Sequence, residues 1–207
     1  MAGVMLEIDA SDMQMKINRL QANMKPEQFT AAMHGIFNRT GSHVKPILRK
    51  DIPVYYHAKP GEISAAVKRA QVTGGGTSAG CIIPIKDHRG SVGGRYGASG
   101  GAHGWQSLKR KYRVKAKVVK AGASTLPQHL PGSYGGNPPF RNFSASSLNG
   151  VAFTRKTKDR FPIMKVESMA IPQMPQHRAE PDVQHDIRTY LEKQMDQRFR
   201  ALIMNGL

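Results

Sequence analysis

Lys109, Arg110, Lys111, Arg113, Lys115, Lys117 and Lys120 crowd seven cations into twelve positions, and no acid lies between Asp87 and Asp159. Such a cluster is suited to neutralising phosphates, with Trp105 and Tyr112 at hand to stack on bases. The plainer alternative is a solvated strand and loop. The whole-chain balance speaks for more than solubility. Residues 1–58 hold 7 Lys/Arg and 5 Asp/Glu, residues 59–178 hold 20 and 4, and residues 179–207 hold 4 and 5. Of the formal net charge of +17, +16 therefore sits in the middle of the chain. A field this lopsided calls for a polyanion or an oppositely charged partner surface. No helix-turn-helix, zinc-finger or RNA-binding signature accompanies it, so base-specific recognition is not expected.

Other chemistry finds little support. The eight histidines (His34, His43, His57, His88, His103, His129, His177 and His185) are scattered, with no pair on one helical face and no HExxH pattern. Neither a metal nor any other cofactor is expected. Cys81 is the only cysteine, too few for a disulfide or a zinc site, and Ile82 and Ile83 beside it favour a small buried hydrophobe. The glycines at 93, 94, 97, 100 and 101 are not followed by a P-loop Lys-Ser/Thr. Ser91, Ser99 and Ser107 lack the framing of an activated nucleophile, and the acids sit mostly in helical segments. The sequence presents no enzyme.

The elements that must carry the cations follow from periodicity. Residues 4–8 suit a strand, and Asp9 or Ser11 suits the cap of a helix whose Met13, Ile17 and Leu20 share a face. Pro26 opens a second helix, with Phe29, Met33, Ile36, Phe37, Thr40, Val44 and Leu48 on one face to about Lys50. Gly35 and Gly41 weaken it, and Pro46 is placed to kink it. Residues 51–60, with two prolines, read as a connection. Residues 63–72 and 79–86 read as a hairpin turned by residues 73–78. Residues 88–104 and 120–149 form long Gly-rich loops, the first of them mobile. Between them the alternation of Tyr112, Val114, Ala116 and Val118 with Arg113, Lys115 and Lys117 predicts a strand with cations on one face.

Residues 150–155 and 161–167 predict a second hairpin. Pro181 and Asp182 then open a C-terminal helix in which Val183, Ile187, Leu191, Met195, Phe199 and Leu202 repeat at spacings of four and three, ending near Gly206. The expected class is α+β: a small antiparallel β-sheet packed by N-terminal and C-terminal amphipathic helices, with long Gly/Pro-rich insertions. One domain over residues 1–207 is expected, elaborated by a basic insertion at about 73–149. The eleven methionines suit core filling or a subunit contact. Residues 1–8 do not read as a signal peptide, no run of about 18 apolar residues offers a membrane span, and an intracellular site of synthesis is expected.

Several segments together resemble the minor tail protein Z family of phages and prophages, the tail completion proteins of long-tailed phages. They are the helix with Ala31, Ala32, Asn38-Arg39-Thr40 and Val44, the segment 63–72, and Gly150-Val151-Ala152-Phe153. The basic turn from Arg155 to Arg160 then leads into Phe161-Pro162-Ile163-Met164-Lys165-Val166, and Ile171-Pro172-Gln173-Met174 precedes the last helix. The likeness covers about residues 10–72 and 150–204, and residues 73–149 depart from it. It implies a virion structural protein that completes the head-proximal end of the tail and joins it to the head around the DNA channel. It also implies a ring of identical subunits, six by the family's pattern, with tail-terminator or tube proteins and head–tail connector proteins as neighbours. The protein would be made in the host cytoplasm, and the C-terminal helix would serve as its assembly scaffold. From a different class, a free non-sequence-specific nucleic-acid-binding protein (ribosome-associated or a DNA-packaging factor) remains open.

Overall fold

In the computed structural model the described residues are 2–6, 13–74, 79–89, 106–107, 114–116, 118–121, 124–125, 140–141, 152–159, 161–167 and 169–204. The chain is α+β, and its Cα packing divides it into two compact units. The first contains Met1–Ile52, Pro60–Asp87 and Ile171–Leu207; the second contains Pro53–Lys59 and His88–Ala170. The boundaries cut across the expected insertion at 73–149, because Gly80–Asp87 belongs to the first unit.

Helices dominate the first unit. α1 is Gln14–Ala22, with Ile17 and Leu20 buried. Met13 holds the N-cap position and makes no side-chain cap hydrogen bond, and the expected caps Asp9 and Ser11 lie outside the described residues. α2 is Pro26–Tyr55, entered through a proline that needs no helical hydrogen-bond partner. Its buried face runs from Phe29 through Met33, Ile36, Phe37, Val44, Ile47 and Leu48 to Ile52. The connection expected at residues 51–60 is therefore shorter. Burial of Asp51 and Ile52 carries the helix on past Pro53, whose missing N–H costs one hydrogen bond near its end.

Pro60–Ala66 forms α3, where a strand was expected from residue 63. Pro60 at the first position and Glu62 in the first turn both favour a helix start, and Ile63 and Ala66 are buried on one side. The hairpin survives in shorter form. β2, Gln71–Thr73, pairs antiparallel with β3, Gly80–Asp87, in the register Gln71–Ile82 to Thr73–Gly80. β1, Ala2–Leu6, covers the other edge of β3 from Ala2–Asp87 to Leu6–Ile83. On β3, Cys81, Ile83 and Ile85 point into the core while residues between them are half-buried. The half-buried class of alternation is what one packed sheet face produces.

A 3-10 helix, Ile171–Gln176, buries Ile171, Pro172, Met174 and Pro175 and touches β1, β3 and α3. The terminal helix α4, Glu180–Met204, follows, with Glu180 and Asp182 in the first turn complementing its dipole. His43 of α2 stacks on Tyr190 of α4, and Lys50 of α2 pairs with Asp186. The higher α2 residue meets the lower α4 residue, so these helices run antiparallel. Lys16 of α1 reaches Asp196 of α4 at 3.0 Å.

In the second unit, β4 (Gln106–Ser107), β5 (Val114–Ala116) and β6 (Ser124–Thr125) form one antiparallel sheet. β7 (Phe140–Arg141), β8 (Ala152–Arg155) and β9 (Ile163–Lys165) form another. Short pairings β6 and β7 thus lie within the expected loop at 120–149. The described strands make three small sheets in place of the single one expected. The hairpin expected at 150–167 is present as β8 and β9. The end of α2 continues into Tyr56, which bridges Val119, while the His57 N–H donates to the Val118 carbonyl at 3.0 Å. The expected loop at 88–104 and the helix stop at Gly206 lie outside the described residues, apart from His88 and Arg89.

Gly41 is a contact point. A Cβ built there would lie 2.4 Å from the Ala70 Cβ and 2.9 Å from the Cys81 Sγ, whereas one at Gly35 would meet nothing within 4 Å. The two helical glycines should respond oppositely to Ala. Gly35→Ala is expected to raise stability by about 0.5–1 kcal/mol through helix propensity. Gly41→Ala is expected to lower it by about 1–3 kcal/mol through overpacking. Urea unfolding midpoints of the two variants check the sign of each.

Candidate functional site

The sequence-predicted cations are only partly described. Lys109, Arg110, Lys111, Arg113 and Lys117 lie outside the described residues. Lys115 occupies the centre of β5, where its backbone pairs with Gln106 and Thr125. Lys120 is exposed in a turn, and its N–H donates to the Tyr55 carbonyl at 2.8 Å. That hydrogen bond, with the one at His57, anchors the C-terminal end of the basic segment to the chain that follows α2.

The scaffold residues of α4 fall mainly inside the first unit. Val183, Ile187, Leu191 and Met195 are buried, and Phe199 is half-buried. Leu202 belongs to the same helix. Phe199 and Met195 line a small cavity of about 100 Å³ together with Lys16, Arg19, Leu20 and Asp196. This stripe packs within the chain's own core. Met13, Met33, Met174 and Met195 are core residues too, whereas Met15 and Met204 are exposed. Cys81 is buried as its neighbours suggested, and burial pushes its thiol up from the ordinary value, away from the reactive thiolate.

A different basic site is assembled in the second unit. Arg89, Thr154, Lys156, Met164, Lys165, Val166 and Glu167 line a cleft of about 530 Å³. The ladder between β8 and β9 sets Thr154 opposite Met164 and Phe153 opposite Lys165. Phe153 is buried, and so is Thr154. Lys156 begins the turn between the strands, and its N–H donates to the Pro162 carbonyl at 3.2 Å. Within that turn the Thr157 hydroxyl donates to the Phe161 carbonyl and accepts from the Asp159 N–H, both at 3.3 Å. The turn is thus tied to its own backbone, which limits the freedom of Lys156. The Thr154 Oγ1 is buried, and among the described residues it has no hydrogen-bond partner.

Sequence reasoning missed this cleft, though Lys156 and Lys165 stood in the segments quoted for the family likeness. Arg89 is far from them along the chain, and only the fold of the second unit joins the three. Period-two reading of residues 152–155 and 163–165 supplies the hairpin, but not which neighbours complete a pocket. Among the described residues, no group of three or more His, Cys, Asp or Glu could hold a metal ion. Among them, too, no helix is long and apolar enough to cross a membrane.

Between α2 and α4 lies a charged contact of a different kind. Lys50 Nζ donates to Asp186 Oδ2 and stands 3.7 Å from Asp51 Oδ1. Asp51 is only 3% exposed, and among the described residues its Oδ2 has no hydrogen-bond partner. Burial pushes its carboxyl above the ordinary value of 3.8; the Asp186 and Asp182 charges add to the rise, and Lys50 opposes it. The hydrogen bond and charge of Asp186 raise Lys50 in turn. This is a structural ion cluster that partly offsets a buried carboxylate, and nothing about it requires a substrate.

No family model, curated protein or solved structure matches the chain.

The native fold holds the Asp51 proton more tightly than the unfolded chain does. Its contribution to stability is greatest below the unfolded value of 3.8 and falls as pH rises through the raised folded value. Asp51→Asn removes the buried charge and leaves Lys50 with Asp186. The variant is expected to unfold at higher urea than the parent at pH 7, with the difference shrinking toward pH 4. Urea midpoints across that pH range measure it.

Proposed function

We propose that the chain is a virion structural protein that completes the head-proximal end of a long phage tail and helps join it to the head. It acts as a ring subunit around the DNA channel, hexameric by the family's pattern. Its neighbours are tail-terminator or tube proteins on one side and head–tail connector proteins on the other. It is made in the host cytoplasm and works in the virion, without catalysis.

One observation carries this: the order of segments that resembles the minor tail protein Z family. A long helix with Asn38-Arg39-Thr40 comes first, then the Phe161-Pro162-Ile163 strand after a basic turn, then Ile171-Pro172-Gln173-Met174, then a terminal amphipathic helix. In this chain those segments form α2, the hairpin of β8 and β9, the 3-10 helix and α4. Charge is compatible with the role, since +16 in the middle of the chain suits a wall that meets exiting DNA or an acidic ring without reading bases. The free nucleic-acid binder shares the charge but gives no reason for the order of the frame.

Electron micrographs of the purified protein, alone and mixed with tails, are expected to show closed rings that cap one end of the tail tube. A phage lacking the protein is expected to accumulate filled heads and unjoined tails. Normal joined particles without it, together with a monomer that binds nucleic acid with steep salt dependence, would contradict the assignment and favour the free binder.

A further inference from the structure

We propose that the proton on Asp51 sets the grip of α2 on α4: with it Lys50 holds Asp186, and without it Asp51 draws Lys50 away. Only the first unit is involved, and nothing here depends on the tail assignment. The contact offers one cation to three acids. Lys50 stands beside Asp51 on α2, while Asp186 and Asp182 act on Asp51 from α4. The Lys50 ammonium donates to Asp186 Oδ2 and lies 3.7 Å from Asp51 Oδ1, beyond hydrogen-bond reach. The cation of this group is therefore committed to a different acid from the buried one.

Burial decides which form of Asp51 this arrangement suits. Its carboxyl is buried, and among the described residues Oδ2 meets no donor. A neutral carboxyl tolerates such a site far better than a carboxylate, whose charge needs donors or a close cation. Once ionised, Asp51 competes with Asp186 for Lys50. That side chain is 71% exposed, so it can turn between the two acids without disturbing the core. The pull comes from within α2, so answering it gives up the bond that crosses to α4. Burial, and then the Asp186 and Asp182 charges, push the Asp51 carboxyl above 3.8 against the effect of Lys50, the direction the arrangement requires. The closed contact thus binds the proton more tightly than an opened one with a solvated carboxyl. Closure is favoured in full below 3.8 and loses that advantage as pH rises through the raised value. Ile52, the next residue, ends the segment Met1–Ile52 of the first unit, and the chain passes on to Pro53–Lys59 of the second. The device sits where α2 hands the chain on.

The experiment follows the full chain by NMR between about pH 4 and about pH 8, with and without low urea. Amide hydrogen exchange is corrected for its intrinsic pH dependence. Protection at residues 50–55 and 183–187 is expected to fall severalfold as pH rises, equally in both solutions, because a local opening exposes little surface. The Asp51 carboxyl carbon is expected to titrate above 3.8, with a step in the Lys50 side-chain nitrogen shift at the same pH. Asp51→Asn keeps the shape of the side chain and removes the charge. It is expected to lose the Lys50 step and to keep its protection at these residues across the whole range. A parent Lys50 signal without that step would overturn the proposal, as would an Asp51 carboxyl that titrates at or below 3.8. So would a fall in protection that grows with urea along all of α2, since only global stability would then have changed.

Discussion

Asp87 ends β3, and its Oδ2 accepts the N–H of Ile171, the first residue of the 3-10 helix, at 3.1 Å. As an energy this is one partly buried hydrogen bond to a carboxylate, on the order of 1.5–3 kcal/mol. As a constraint it means much more. The chain leaves the first unit after Asp87 and re-enters it at Ile171, so the two ends of the long excursion meet at a single point. Ile171 and Met174 are wholly buried there, which fixes the return by packing as well as by the hydrogen bond. Closing a long loop costs only slowly more as it lengthens. Residues 88–170 can therefore vary in length and composition with little effect on the frame.

Charge follows the same division. In the first unit the exposed cations Lys16 and Lys50 are matched across helices by Asp196 and Asp186, so α1, α2 and α4 are laced together. In the second unit Arg89, Lys156 and Lys165 gather around one cleft with a single acid. Two of the frame's lysines thus hold helices together, whereas the cations of the excursion gather with one acid around a cleft.

The repeating apolar positions of α2 and α4 were legible because each buries one stripe along a helix. The hairpin of β8 and β9 was legible from two short apolar runs around a basic turn. Pro53 hid the last turn of α2: proline signals a stop, but the buried Ile52 keeps the helix going. Residues 63–66 are too few for periodicity to separate helix from strand, and the decisive signal was Pro60 followed by Glu62. Gly41 reads in sequence as a weakness, whereas in space it is the clearance that α2 needs against Ala70 and Cys81. The cleft was illegible for a different reason. Arg89 lies far along the chain from Lys156 and Lys165 and joins them only through tertiary structure.

A first unit closed at Asp87 and Ile171 is expected to fold as a self-sufficient frame. That is tested most directly by replacing residues 88–170 with a short Gly/Ser linker and measuring thermal unfolding by circular dichroism. Tyr55 to His57 lose their partners at Val118 to Lys120 in this variant, so some fraying after α2 is expected. The account expects one cooperative transition and a helical signal matching α1 to α4. A broad, non-cooperative melt, or loss of that helical signal, would contradict it.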